Sequence, residues 1–126
     1  IVHGMSRPIG ALFHVAHGTS NAMLLEKCMA FAVDGAYDKF ADLGRAIGTA
    51  KASDDDKTAA EKFIVALGDI CRICEIPTLE EYGIDKDKFF EVMDKMATDA
   101  LASGSPSNTI KEVTKEDILD LYKSLW

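Results

Sequence analysis

The chain has 126 residues and a mass of 13.7 kDa, which fits one domain and argues against a large multidomain enzyme. Hydrophobic residues make up 48% of the chain and charged residues 28%, a composition that excludes intrinsic disorder and collagen-like repeats. The net charge of −7 argues against nucleic acid or an anionic membrane surface as a partner, and no apolar run approaches the length of a membrane span.

The chain begins at Ile1 within an apolar stretch, without a helix cap or a targeting signal, so we interpret it as a fragment of a longer protein. Its three cysteines are too few for a disulfide framework, and their odd number predicts a reducing compartment, the cytoplasm. Cys71 and Cys74 form a C-x-x-C motif, but no second pair or finger-spaced histidine accompanies it. We therefore expect both, like Cys28, to be small buried packing residues.

Apolar residues recur at helical spacing from residue 18 onward. The first stripe includes Met23, Leu24 and Cys28, and a polar residue at positions 19 to 21 is expected to cap its helix. Asp34 is expected to begin a short second helix, which Gly48 ends. The apolar stripe of that helix comprises Tyr37, Phe40, Ala41, Leu43 and Ile47.

A longer helix is expected to begin at Ser53, because serine caps helices well and the three aspartates that follow favour the positive end of the helix dipole. The aspartates lack the spacing and the distal glutamate of a calcium loop, so they predict a solvated helix start. Pro77 is expected to end this helix. Its stripe is broad, which predicts a well-buried helix, and contains Phe63, Leu67, Ile70 and Cys74.

Two further helices complete the pattern. Asp85 opens one of them, in which Phe89, Phe90 and Met93 are spaced as core residues. Thr114 and Asp117 resemble a capping box at the start of the last helix. Because no period-two run is present, the predicted fold class is all-α, a bundle of about five or six helices.

All three histidines lie in the first 17 residues, at His3, His14 and His17. Neutral imidazole is a common protein ligand for iron and zinc, so the cluster points to a metal site, although a single histidine is more often a satisfied core or surface residue. His14 and His17 are three residues apart and would chelate an ion from one helical turn.

The first and third histidines are 14 residues apart, which corresponds to about 21 Å along a continuous helix. They share an ion only where the chain folds back between them, and breaks are available at Pro8, Gly10 and Gly18. Either pair needs further ligands from elsewhere, because no acidic residue precedes Glu26.

The segment from His3 to Leu25 resembles the signature of the iron-containing, or group III, alcohol dehydrogenases. The chain reads H-G-M-S-R-P-I-G-A from His3 and H-V-A-H-G-T-S-N-A-M-L-L from His14. The family pattern runs H-G-x-x-H-P-x-G-A and then, after a short gap, P-H-G-x-x-N-A-x-L-L-P. The resemblance continues more loosely to Trp126.

The resemblance implies a two-domain enzyme. Residues 1–126 would be the C-terminal part of the all-helical metal-binding domain, which is dehydroquinate-synthase-like, and the N-terminal NAD(P)-binding domain is absent from the chain. His3 and His17 would be the last two of four ligands to Fe(II) or Zn, which favours this pair over His14 with His17. The other two ligands, an aspartate and a histidine, would precede Ile1.

The implied reaction is the oxidation of a small alcohol, or the reduction of an aldehyde, with NAD(H) or NADP(H) as the hydride carrier. The whole enzyme would be a homo-oligomer, and the fragment by itself is expected to be inactive, because it lacks the nucleotide domain and half of the metal ligands. It would contribute two ligands and one wall of the active-site cleft.

The sequence also departs from the family pattern. Arg7 occupies the position of a family histidine associated with the nicotinamide and with proton handling, which makes it the candidate catalytic residue by position. An arginine cannot lose its proton in a protein, so it cannot act as a proton relay. Ala16 and Glu26 also replace two prolines of the pattern.

These departures motivate an alternative, a degenerate non-enzymatic helical domain with a structural or association role. A third hypothesis, a regulator that uses an acidic helical surface, is supported by the net charge alone.

Overall fold

The computed structural model describes all 126 residues as six α-helices without a β-strand, which confirms the predicted all-α fold. No helix is both long and apolar enough to cross a lipid bilayer. Two short 3₁₀ turns, at Val33–Gly35 and Pro106–Asn108, lie in the connections. The helices are α1 (Val2–Phe13), α2 (His17–Ala32), α3 (Tyr37–Ala46), α4 (Asp56–Ile73), α5 (Lys86–Ala102) and α6 (Lys115–Lys123).

The main hydrophobic core lies between α1, α2, α5 and α6. Phe89 of α5 is at its centre, and its ring lies 5.6 Å from the ring of Phe13, 5.6 Å from that of Tyr122 and 5.4 Å from that of Trp126, measured between centroids. These four aromatic residues connect the start, the middle and the end of the chain. Fully buried aliphatic residues of the same core include Met5, Ile9, Leu24, Met96 and Ile118.

A second, smaller core joins α3 to α4 and consists of Ala41, Ala50 and Ala59. Gly44 permits the close approach of the two helices, because a Cβ at this position would lie 2.7 Å from the carbonyl oxygen of Ala59. Small residues at a helix crossing allow the backbones to approach each other more closely than large ones do.

The prediction that α4 is well buried is wrong for its C-terminal half. Ile70 is 51% exposed and Ile73 is 74% exposed, although both continue the apolar pattern of the helix. The reason is length: α4 has 18 residues, whereas its antiparallel partner α3 has 10. The last turns of α4 therefore extend beyond α3. In α3 itself, the stripe residues Leu43 and Ile47 are also exposed.

The same geometry corrects the prediction for two of the cysteines. Cys28 is fully buried as expected, but Cys71 is only partly buried and Cys74, the residue that caps the end of α4, is exposed. The prediction that Phe90 is a core residue is also wrong, since Phe90 is 39% exposed, whereas its neighbour Phe89 is completely buried.

Side-chain caps confirm two of the predicted helix starts. The Asp85 carboxylate accepts a hydrogen bond from the Lys88 main-chain N–H at 2.9 Å, at the start of α5. Thr114 and Asp117 form a reciprocal capping box at the start of α6. A cap of this kind satisfies N–H groups that have no partner within the helix.

Other predicted boundaries are wrong by a few residues. Asp55, rather than Ser53, caps α4 by accepting from the Thr58 N–H at 2.8 Å. The helix ends at Ile73, before Pro77, because Glu75 adopts a left-handed conformation with φ 52°. The second helix begins at His17, ahead of the polar residues expected to cap it, and α3 begins at Tyr37, since Asp34 lies in a 3₁₀ turn.

Candidate metal centre

The chain reverses direction between α1 and α2, and this reversal positions the histidines. Helix α1 ends where His14 adopts a left-handed conformation with φ 56° and ψ 32°, and Ala16 is extended before α2 begins at His17. The predicted breaks at Pro8, Gly10 and Gly18 are therefore wrong. Each of these three residues lies inside a helix, and residues 14 to 16 make the turn.

Pro8 and Gly10 nevertheless shape the end of α1. Pro8 is buried inside the helix, where its ring removes the main-chain N–H that would bond to the Gly4 carbonyl. A Cβ on Gly10 would lie 3.1 Å from the carbonyl oxygen of Val15, so the glycine gives the returning chain room to pack against α1. Burial of the apolar face of α1 offsets the missing hydrogen bond.

The reversal brings His3 and His17 together. Their ring centroids are 5.3 Å apart and the rings are nearly perpendicular, with an interplanar angle of 78°. Both side chains are exposed, on the face of α1 and α2 that points away from the core. Of the two possible pairs, the structure assembles the one with the longer spacing, whereas His14 lies in the turn itself.

The spacing of the two rings fits a shared divalent ion. An ion about 2.1 Å from each imidazole nitrogen lies about 3.3 Å from each ring centre, so tetrahedral ligands have ring centres about 5.4 Å apart. The observed distance is 5.3 Å. No third histidine, cysteine, aspartate or glutamate joins the pair within the chain.

Asn21 contacts His17 and was not identified as a site residue from the sequence. Its side-chain nitrogen lies 3.0 Å from Nε2 of His17, one turn earlier on α2, while its side-chain oxygen is buried without a hydrogen-bond partner. Because an amide nitrogen only donates, Nε2 of His17 accepts in this contact and the proton of the neutral ring lies on Nδ1. The sequence did contain a signal for this contact, because residues four apart on one helix, such as His17 and Asn21, lie on the same face.

Arg7 lies four residues after His3 on α1, so the two side chains share one face of the helix. It is exposed and forms no ion pair. The structure thus places the predicted candidate one helical turn after His3 on α1.

A cleft of about 580 Å³ begins at His3. Its walls come from the start of α1, the end of α2, α3 and the loop before α6. Most lining residues are apolar, including Val2, Met29, Phe40, Leu43 and Ile110, whereas Lys39, Ser105, Asn108 and Thr109 provide polar groups. A mostly apolar cleft with a few convergent polar groups is typical of a small-molecule site. Sequence patterns did not reveal this cleft, because its walls are distant in the chain.

Comparison with known proteins gives a match over the whole chain. Residues 1–126 match the model of the Fe-containing alcohol dehydrogenase family, C-terminal. The chain is 30% identical over 129 aligned residues to lactaldehyde reductase of Escherichia coli (strain K12) and 28% identical over 123 residues to 1,3-propanediol dehydrogenase of Klebsiella pneumoniae. The alignments include 100% and 97% of this chain but only 32% and 31% of those proteins.

Solved structures also match nearly the whole chain. The crystal structure of a 1,3-propanediol oxidoreductase superposes with a TM-score of 0.89 at 25% identity, and an alcohol dehydrogenase from Oenococcus oeni with 0.87 at 27% identity. Each superposition covers 99% of this chain and 32% of the other chain. The chain therefore spans about a third of the length of these relatives.

Proposed function

The chain belongs to the iron-containing alcohol dehydrogenase family, and on that premise we propose that it is the C-terminal part of a metal-dependent, NAD(P)-linked alcohol dehydrogenase or aldehyde reductase. In this proposal it supplies two metal ligands, His3 and His17, and one wall of the active-site cleft. The approach of the two imidazole rings to 5.3 Å is the observation that carries the proposal.

The residues of the chain have distinct roles in the proposed site. His3 and His17 hold Fe(II) or Zn through neutral imidazole nitrogens. When bound, the ion acts as a Lewis acid that polarises the oxygen of an alcohol or aldehyde. The Asn21 amide donates to Nε2 of His17, so an ion at that nitrogen would replace this contact. The apolar wall formed by Phe40 and Leu43 excludes water from the carbon chain of the substrate.

The remaining parts of the enzyme lie outside residues 1–126 in this proposal. A dinucleotide-binding domain supplies NAD(H) or NADP(H), together with the other metal ligands. We expect no turnover from the 126-residue chain mixed with Fe(II), NAD⁺ and 1,2-propanediol, because the hydride acceptor has no domain to hold it. Turnover of this mixture would contradict the assignment of dinucleotide binding to a domain outside residues 1–126. We place the whole enzyme in the cytoplasm, where the free cysteines stay reduced.

The metal assignment is tested by NMR of the histidine rings during titration with Zn²⁺. We expect the ring resonances of His3 and His17 to shift together, whereas those of His14 stay in place. His14→Ala is the matched control, since it removes an exposed imidazole within three residues of the site. His3→Ala and His17→Ala should each abolish the joint shift.

The alternative, a degenerate helical domain without a metal, is favoured by Arg7. Arg7 places a fixed positive charge one helical turn after His3, and its repulsion disfavours a divalent ion there, although solvent screening at this exposed face reduces the effect. If the resonances of both His3 and His17 stay unshifted with Zn²⁺ in large excess, this outcome would support the alternative and reject the proposed site.

A further inference from the structure

The two cysteines at the end of α4 have no role in the proposed metal site. Cys71 lies in the last turn of the helix and is partly buried, and Cys74 caps the helix and is exposed. The third cysteine differs from both, because Cys28 is completely buried and its Sγ lies 3.8 Å from Sδ of Met5. The C-x-x-C motif therefore brings two reactive side chains to one place near the surface of the chain.

The spacing of Cys71 and Cys74 is close to that of a disulfide. Residues three apart on an α-helix have Cα atoms about 5 Å apart, within the range of roughly 4.4–6.8 Å that disulfides span. Their Cβ atoms are about 5–6 Å apart in a regular helix, whereas a disulfide needs about 3.5–4.5 Å. A movement of about 1 Å closes this gap.

The end of α4 can accommodate that movement. Cys74 has already left the helical conformation, with ψ 5° in place of the usual value of about −42°. Glu75 then turns the chain away with φ 52°. Because both thiols belong to the same turn, α4 by itself sets their separation.

The surroundings of the two thiols assign them different roles. Cys71 lies on the wall of a second cleft, of about 380 Å³, which Glu26 and Trp126 also line. Burial, and then the negative charge of Glu26, raises the pKa of the Cys71 thiol. The exposed Cys74 is therefore the thiol that meets a reagent first, and Cys71 is the one that follows.

We propose that Cys71 and Cys74 form a reversible redox pair, which a low-molecular-weight disulfide such as glutathione disulfide oxidises to a disulfide bond across the last turn of α4. This inference goes beyond the proposed function, since no step of it involves the metal or the dinucleotide. It gives a chemical role to the C-x-x-C motif.

The oxidation is a pair of thiol–disulfide exchanges. The thiolate of Cys74 attacks one sulfur of glutathione disulfide, whose S–S bond breaks, and the first glutathione leaves as a thiolate. Cys71 gives its proton to water, and its thiolate then attacks Sγ of Cys74 and releases the second glutathione thiolate. Two electrons pass from the pair to the oxidant, and an excess of reduced thiol reverses both steps.

Reversibility follows from the position of the bond. An exposed disulfide is more easily reduced than a buried structural one. In the cytoplasm, where we place the enzyme, the reduced glutathione pool keeps the pair open, and accumulation of glutathione disulfide closes it.

The test incubates the folded 126-residue chain with glutathione disulfide at about pH 8, where a thiol forms enough thiolate to react. We expect the mass to fall by two hydrogen atoms and only the thiol of Cys28 to remain, and dithiothreitol should restore the other two. A thiol held nearby acts at an effective concentration of millimolar order, so at about 0.1 mM glutathione the closed form should exceed the glutathione adduct about tenfold.

Peptide mapping locates the bond. Arg72 lies between the two cysteines, so trypsin separates them into the peptides 63–72 and 73–86. After the remaining thiols have been alkylated, these peptides should stay joined in the oxidised chain and come apart in the reduced chain.

Variants distinguish the two thiols. Cys71→Ser should retain one glutathione on Cys74, because no second thiol displaces it, and Cys74→Ser should react slowly at Cys71 and close no bond. Cys28→Ala is the matched control and should close the pair like the unchanged chain. Circular dichroism establishes that each variant is folded.

The outcomes separate this inference from the proposed function. A lasting glutathione adduct on Cys74 in the unchanged chain, or disulfide-linked dimers in place of the closed form, overturns the redox pair. Peptides 63–72 and 73–86 that come apart after oxidation do the same. The shifts of His3 and His17 with Zn²⁺ do not depend on either result, so the metal site and the redox pair stand or fall separately.

Discussion

The hydroxyl of Tyr122 donates a hydrogen bond of 2.8 Å to the main-chain carbonyl oxygen of Met5, 117 residues earlier in the chain. The contact joins α6 to α1 two residues after His3. Tyr122 is completely buried, and burial raises the pKa of its hydroxyl well above the usual range, so the group stays protonated and remains a donor. The C-terminal helix therefore helps to fix the helix that carries His3 and Arg7.

Replacement of this tyrosine tests the connection. Tyr122→Phe keeps the ring in the core but removes the hydroxyl, and we expect the free energy of unfolding to fall by about 0.5–1.5 kcal/mol. Denaturation by urea measures the change. Tyr82→Phe removes a hydroxyl from a side chain that is 41% exposed and should leave the stability unchanged. Equal losses in both variants would contradict a specific role for the Tyr122 hydrogen bond.

Replacement by alanine should have different effects on stability at two of the glycines. Gly44→Ala places a methyl group 2.7 Å from the Ala59 carbonyl oxygen, and forcing the helices apart should destabilise the chain by about 1–3 kcal/mol. Gly18 lies in α2 with no atom within 4 Å of its missing Cβ, so Gly18→Ala should be neutral or stabilising by up to about 1 kcal/mol. Thermal denaturation compares them, and a stable Gly44→Ala variant would refute the close packing of α3 and α4.

The capping box of α6 should contribute to the pH dependence of stability. Hydrogen bonds from the main-chain N–H and the hydroxyl of Thr114 lower the pKa of Asp117 below its usual value. Because the folded carboxyl binds its proton more weakly than the unfolded one, the contribution is fully present above the unfolded pKa of about 3.9. It is lost as the pH falls through the lower folded pKa.

Urea midpoints at pH 7 and below pH 3 measure this contribution. Asp117→Asn should be less stable than the unchanged chain at pH 7 and should lose less stability on acidification. Glu112→Gln is the control, since Glu112 is exposed and makes no ion pair. If Asp117→Asn and the unchanged chain lose the same stability between the two pH values, the cap does not cause the dependence.

The contact of Asn21 with His17 predicts an effect on metal affinity. In the proposed site, Asn21→Ala removes the amide that donates to Nε2 of His17 and competes there with the ion, so Zn²⁺ binding should tighten. Calorimetric titration gives the affinity. Asn108→Ala removes an exposed amide from the cleft and should bind Zn²⁺ like the unchanged chain. Weaker Zn²⁺ binding in Asn21→Ala would contradict this competition and would show that the amide orients His17 for the ion.

The three thiols should react at different rates. Cys74 is exposed and should react quickly with a disulfide reagent in the folded chain, and the partly buried Cys71 more slowly. Burial raises the pKa of the Cys28 thiol to about 12, so it should react only after unfolding. The absorbance of the released thiol follows the three steps. Cys74→Ser should remove the fastest step alone; rapid modification of all three thiols would show that the core around Cys28 opens.

The sequence predicted best where a feature depends on neighbouring residues. Helical periodicity and the polar residues Asp85 and Thr114 fixed the existence of the helices and the starts of α5 and α6, because a cap involves only the next three or four residues. The predicted position of the chain reversal before His17 was wrong. A proline and glycines marked possible breaks, but burial of α1 kept Pro8 inside a helix.

The sequence by itself determined that the chain is helical, and its signature from His3 to Leu25 indicated the family. Only the tertiary structure decided that the rings of His3 and His17 meet, that a cleft opens beside them, and that Ile73 is exposed. The physical reason is that periodicity specifies which face of a helix is apolar. It does not specify which helix covers that face or how far the partner extends, and these depend on the lengths of the packed helices and on contacts between residues distant in the chain.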